Sequence, residues 1–141
     1  MVGPKKDDKE QPGVRYHAIE RIVPPDSTEW VFDQTDVVTS RLLVRITIAK
    51  IEDRDRLHSV LSSVPIRQGT PGWNCVAWVK EALEMLELDA EALGTRAIGW
   101  EKVRDAAMSY CDQKVKARRF DGERTLWPPT FDLMTNNEVI P

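Results

Sequence analysis

The chain predicts an α+β fold, a small antiparallel β-sheet packed against two to three α-helices. Three observations carry that expectation. Period-two alternation of apolar side chains is confined to residues 14–51. Helical spacing takes over from residue 52 and runs to about residue 115. The two patterns do not interleave, which excludes the strand–helix–strand alternation of a parallel sheet. A length of 141 residues allows one compact domain with a real core and is too short for two.

Each element has its own signal. Residues 1–13 read as a charged N-terminal arm, with Lys5, Lys6, Asp7, Asp8, Lys9 and Glu10 between Pro4 and Pro12. Residues 14–23 alternate, with Val14, Tyr16 and Ala18 on one face and Arg15, His17 and Ile19 on the other. Pro24-Pro25-Asp26-Ser27 breaks that strand, and Trp30, Val31 and Phe32 make a second over 29–34. The best strand is expected over 40–51. Leu42, Val44, Ile46 and Ile48 mark one face, and Leu43, Arg45, Thr47 and Ala49 the partly polar other. A first helix over 52–63 turns Leu57, Val60 and Leu61 inward and stops at Pro65. Turn formers at 67–72 lead to a second helix over 74–88, with its apolar stripe at Cys75, Val79, Ala82, Leu83 and Leu86. Residues 89–93 are expected to add a turn before Gly94. A third helix over 99–115 aligns Trp100, Val103, Ala106, Ala107 and Tyr110. Residues 120–141 read as an extended C-terminal tail, because Pro128-Pro129 forbids a helix, with Trp127 and Phe131 as anchors. The domain proper is thus 14–119.

Composition narrows the function. The chain is 41% apolar and 30% charged, close to the globular average. A net charge of −3 provides no basic field for nucleic acid. No stretch reaches the ~20 apolar residues of a membrane span, and residues 1–12 hold no apolar run of the secretory kind. Cys75 and Cys111 therefore read as a reduced pair in a cytoplasmic protein. Two Cys and two His at unrelated spacings make no zinc site, Asp33, Asp36 and Asp53 lack metal-loop spacing, and no Gly-rich phosphate loop is present. No cofactor is expected.

The residues that could carry chemistry centre on Pro71-Gly72-Trp73-Asn74-Cys75. First-turn amides have no intrahelical acceptor and the dipole there favours negative charge, so a thiol at that position ionises more easily. Cys75 then reads as a nucleophile with its own amide in an oxyanion hole, or else as a small core residue on the stripe of Val79 and Leu86. His17 is the one candidate base, or simply a histidine on a half-exposed strand. Asp33, Gln34 and Thr47 are candidates by type to orient its ring. His58 reads as a surface residue and Cys111 as structural. Trp73 and Trp78 bracket Cys75; with Asn74 they line a substrate groove, or they pack the helix on the sheet. Lys114, Lys116, Arg118 and Arg119 would hold an anion, or match the dipole at the end of the third helix.

The stretch Gly72-Trp73-Asn74-Cys75-Val76-Ala77-Trp78-Val79, with the Val64-Pro65 turn, Val2-Gly3-Pro4-Lys5 and Arg15-Tyr16-His17-Ala18, resembles an uncharacterised family of small fungal proteins over about residues 1–120. The Asn-Cys pair opening a helix also resembles the papain-like thiol enzymes of the NlpC and lecithin:retinol acyltransferase type. That resemblance implies Cys75 as nucleophile. It also implies that the histidine-bearing first strand, which would precede Val2-Gly3-Pro4, is missing, and that His17 matches the second, non-catalytic histidine. The resulting expectation is a non-catalytic or degenerate binding domain for a small molecule or protein. The alternatives are a Cys75-dependent hydrolase or acyltransferase, and an assembly protein pairing as a homodimer through the sheet edge left open.

Overall fold

In the computed structural model, residues 13–37, 42–122 and 127–141 are described. Residues 1–12 of the arm expected over 1–13 and the first residues of the 40–51 strand lie outside them, while Gly13 already opens the first strand. The chain is α+β, with three helices and seven strands among the described residues.

Strands β1 (Gly13–Val23) and β2 (Ser27–Val37) form a long antiparallel hairpin about the Pro24-Pro25-Asp26 turn. The ladder runs without a bulge from Gly13 opposite Val37 to Val23 opposite Ser27. Side chains therefore alternate strictly between two faces. Tyr16, Ala18, Trp30 and Phe32 share one face. Tyr16 and Phe32 stack at 6.3 Å, and that face packs on the helices.

The expected strand over 40–51 breaks in two. β3 (Arg45–Thr47) pairs in parallel with β6 (Thr130–Asp132), while β4 (Ala49–Ile51) pairs antiparallel with β5 (Leu93–Arg96). Ile48 falls between them, and its carbonyl accepts from the Ala97 amide at 2.7 Å. Alternation reports which face a side chain takes and says nothing of which strand lies alongside, so the break is invisible in the pattern. Among the described residues the result is three small sheets, one with a parallel pair, in place of a single antiparallel sheet.

The helices fall close to expectation. α1 (Arg54–Ser63) opens on Asp53, whose carboxylate accepts from the Arg56 amide at 2.8 Å. α2 (Cys75–Asp89) is capped by Asn74 and ends at Ala90, which adopts a left-handed φ of 58°. Asp89 then takes the Glu91 and Ala92 amides and an ion pair from Arg56 at 2.6 Å. This capping turns residues 89–93 out of the helix and into β5, where an added turn was expected. α3 (Trp100–Lys116) carries Tyr110 as its buried residue.

The stretch expected as a separate tail belongs to the domain. β6 runs beside β3, and β7 (Asn137–Ile140) folds back antiparallel on β6. Pro128-Pro129 does exclude a helix, but it delivers the chain extended to β3, where the Pro129 carbonyl accepts from the Arg45 amide at 2.8 Å. Phe131 packs on Tyr110 at 5.5 Å, fastening this unit to α3.

The core is a cluster of Ala18, Leu57, Leu61, Trp78, Ala82, Leu83, Leu86, Leu93 and Ile98. It draws on the hairpin, α1, α2 and β5 together. The buried stripe of α2 is Trp78, Ala82, Leu83 and Leu86; Cys75 and Val79, expected on it, are exposed. The wide indole of Trp78 fills the place against Phe32, at 5.9 Å, and turns the helix by part of a turn relative to the expectation.

Candidate functional site

Asn74 takes the N-cap position of α2 with extended backbone, and its Oδ1 accepts from the Val76 and Ala77 amides at 2.9 and 3.2 Å. Two of the donors that would attract an anion at this helix tip are thereby bonded within the helix itself. Gly72, with a φ of +77°, makes the turn that brings the chain into the helix, a conformation that disfavours any side chain with a Cβ. Trp73 donates from Nε1 to Glu81 Oε1 at 3.1 Å and meets Trp30 edge-on at 5.5 Å. Arg67 binds the same Glu81 carboxylate through Nε and Nη2 at 2.9–3.1 Å. Arg67 foremost, then the Trp73 indole, hold Glu81 below the usual carboxylate range. The 67–73 loop is thus latched to α2. The expected substrate residues Asn74 and Trp73 act as cap and latch.

His17 lies on the hairpin face opposite Tyr16 and Ala18. Its Nε2 meets Asp33 Oδ2 at 2.8 Å, and Thr35 donates to the same oxygen at 2.5 Å. These two bonds, that of Thr35 first, hold Asp33 below its ordinary value. Asp33 is therefore the group that orients the ring. Because α1 and α2 pack on the Tyr16–Phe32 face, His17 points away from the helix that carries Cys75. The two residues expected as base and nucleophile lie on opposite sides of the β1–β2 ladder. One strand residue of parity separates the two cases, and only the packed face decides it.

What the structure does assemble near α2 is a cavity of about 430 Å³. Its walls are Ile48, Ala49 and Ile51 from the β3–β4 segment, Leu57 and Leu61 from α1, and Trp78, Ala82, Leu83 and Leu86 from α2, with Tyr16 from the hairpin. Leu42 and Val79 are its most exposed lining residues and mark its mouth. Cys75 sits one helical turn before Val79 on the same side of α2. Trp78, expected to line an open groove, is instead 2% exposed and forms part of this cavity's wall. Its indole N–H is the buried side-chain polar atom left without an acceptor among the described residues. Most buried polar atoms are bonded, so this donor is an exception within the core. The cavity was missed in the sequence because its lining comes from five separate segments. The residues are ordinary core types, and only their failure to close on one another distinguishes them.

A model for a family of unknown function, DUF6914, matches residues 1–140. The chain belongs to this family. No curated protein and no solved structure matches it. Among the described residues of this DUF6914 chain, no group of three or more His, Cys, Asp and Glu side chains could hold a metal ion, and no helix is long and apolar enough to cross a membrane. Cys75 and Cys111 are free thiols.

Proposed function

We propose that the protein is a non-catalytic binding domain that takes a small, largely apolar molecule into the cavity between β3–β4, α1 and α2. The observation that carries this reading is the cavity itself, walled by core side chains of α1, α2 and the β3–β4 segment. Its size and apolar lining with few polar groups are those of small-molecule sites. The order of a strand hairpin followed by a helix opening on Asn74-Cys75 supports descent from the papain-like thiol enzymes, and the matching motifs support kinship with the small fungal proteins. Against retained catalysis stand the position of His17 and the use of Asn74 as a cap. The free thiols suit a cytoplasmic protein.

Titration with decan-1-ol, followed by tryptophan fluorescence and thermal melting, tests this reading. A saturable one-to-one fluorescence change is expected, with a raised melting temperature and no dependence on Cys75→Ala; a ligand at a hundred times its Kd stabilises by about 2.7 kcal/mol. A linear, non-saturating response with an unmoved melting temperature refutes it. Ester hydrolysis that is saturable and lost in Cys75→Ala would return the protein to the enzymes.

A further inference from the structure

The cavity lining is apolar except for Tyr16 on the hairpin and for Arg45 and Thr47 at β3, where the one charged side chain of the lining stands. Arg45 is half-buried, and its one side-chain bond is from Nε to Thr130 Oγ1 at 3.2 Å. Thr130 is itself buried and donates its hydroxyl proton to the Pro128 carbonyl at 2.9 Å, so its lone pairs face the guanidinium. This arrangement fixes the guanidinium plane through Nε and leaves both Nη groups without a partner among the described residues. No carboxylate pairs with Arg45 among them. Lost hydration is the one influence on its titration and pushes its pKa down, with no opposing charge to raise it. The other half-buried Lys and Arg side chains among the described residues are partnered: Arg96 meets Glu87 at 3.3 Å, Lys114 meets Glu138 at 2.5 Å, and Arg119 donates from Nη2 to the Pro141 carbonyl at 3.2 Å.

A cation withdrawn from water without a counter-charge is costly, and protein interiors supply the counter-charge or leave it to a ligand. The free Nη fork of an arginine held by Nε matches the two oxygens of a carboxylate. The Tyr16 phenol is the remaining polar group among the lining side chains that have accessible surface, and the other walls offer hydrocarbon contacts. At about 30 Å³ for a water-sized heavy atom, 430 Å³ accommodates roughly a dozen such atoms.

We infer that the cavity binds an aliphatic carboxylate of medium chain length, with its carboxylate on the Arg45 guanidinium and its chain against α1 and α2. This inference rests on the binding function proposed above and names its ligand class. A neutral apolar molecule would leave Arg45 unpaired, and a cationic amphiphile would add a second positive charge beside it.

The test compares decanoate, decan-1-ol and decyltrimethylammonium, each below its micellar concentration, by isothermal titration calorimetry on the full chain. Decanoate is expected to bind one-to-one and roughly tenfold to a hundredfold more tightly than decan-1-ol, the gain of a charge-assisted bond, and the ammonium compound more weakly than both. Arg45→Met should bring decanoate down to the level of decan-1-ol while decan-1-ol binds as before, which also demonstrates that the variant is folded. Arg45→Lys should retain part of the preference. If decan-1-ol binds and decanoate binds no tighter, or if Arg45→Met leaves the preference intact, the carboxylate inference is overturned and the cavity reading stands. If none of the three binds, the cavity reading itself falls.

Discussion

Asn74 and Cys75 are neighbours with opposite fates. Asn74 closes two amides of α2, so Asn74→Ala should cost about 1 kcal/mol, seen as a lower urea midpoint with unchanged slope. An unchanged midpoint would mean that the cap bonds contribute nothing. Cys75 is exposed, and its replacement by Ser should alter stability by no more than about 0.5 kcal/mol. Its thiol should alkylate in the folded protein. A Cys75 that reacts only on unfolding would contradict its exposed place in the first turn of α2. Trp78, three residues on, is the opposite case: buried against Phe32, it anchors the hairpin on α2. Trp78→Ala should cost about 3–5 kcal/mol. Trp78→Phe should cost much less, because it keeps ring packing and removes a donor that has no acceptor.

At the scale of elements, the C-terminal strands are held by one clasp. Tyr110 on α3 donates to Glu138 Oε1 at 2.5 Å, with the Ile140 carbonyl at 3.2 Å from its hydroxyl oxygen, and Lys114 meets Glu138 from one turn along. Burial and the Glu138 carboxylate push the Tyr110 phenol upward, so it stays a donor at any ordinary pH. Tyr110→Phe should remove about 1 kcal/mol and speed amide exchange across Asn137–Ile140 while α2 stays protected. Uniform exchange across the chain would mean that β7 has no independent clasp. These elements also mark what the sequence could convey. The three helices were legible because their apolar spacing, caps and proline stops act locally. The hairpin was legible because Pro24-Pro25 separates two alternating runs. The division of 40–51 into β3 and β4, the strand at Leu93–Arg96 and the return of β6 to β3 depend on partners up to 85 residues away, which no local pattern records. At the candidate site, the sequence offers His17 as a base or as a histidine on a half-exposed strand, and Asp33 as one of three residues suited by type to orient its ring, the one that the structure places on it. The side of the sheet on which they lie was set by the packing of Tyr16 and Phe32. Arg45 was read as part of a partly polar strand face. Its lack of a counter-charge becomes visible only when every neighbour is known.

For the whole molecule, four carboxyl groups join distant segments. Asp33 is held down chiefly by Thr35, Glu81 by Arg67, Asp89 by the Ala92 amide and Glu138 by Lys114. All four lie below their ordinary values in the folded state, so the unfolded chain takes up protons first as pH falls. Their stabilisation is fully present above the unfolded carboxylate range near pH ~4 and is lost as pH drops through the folded values. The melting temperature should be nearly level from neutral pH to about 5 and fall steeply below about 4. A melting temperature that stays level far into acid would contradict these linkages. Occupation of the cavity behind α2 can be read through the indole N–H of Trp78, because the Trp78 side chain lines that cavity. The measurement is an indole ¹⁵N–¹H correlation spectrum of the five tryptophans during titration with decanoate, the Trp78 resonance being assigned with Trp78→Phe. The Trp78 signal is expected to move saturably while that of Trp73, bonded to Glu81, stays in place. A Trp78 signal that stays fixed while decanoate is raised to its solubility limit would contradict it.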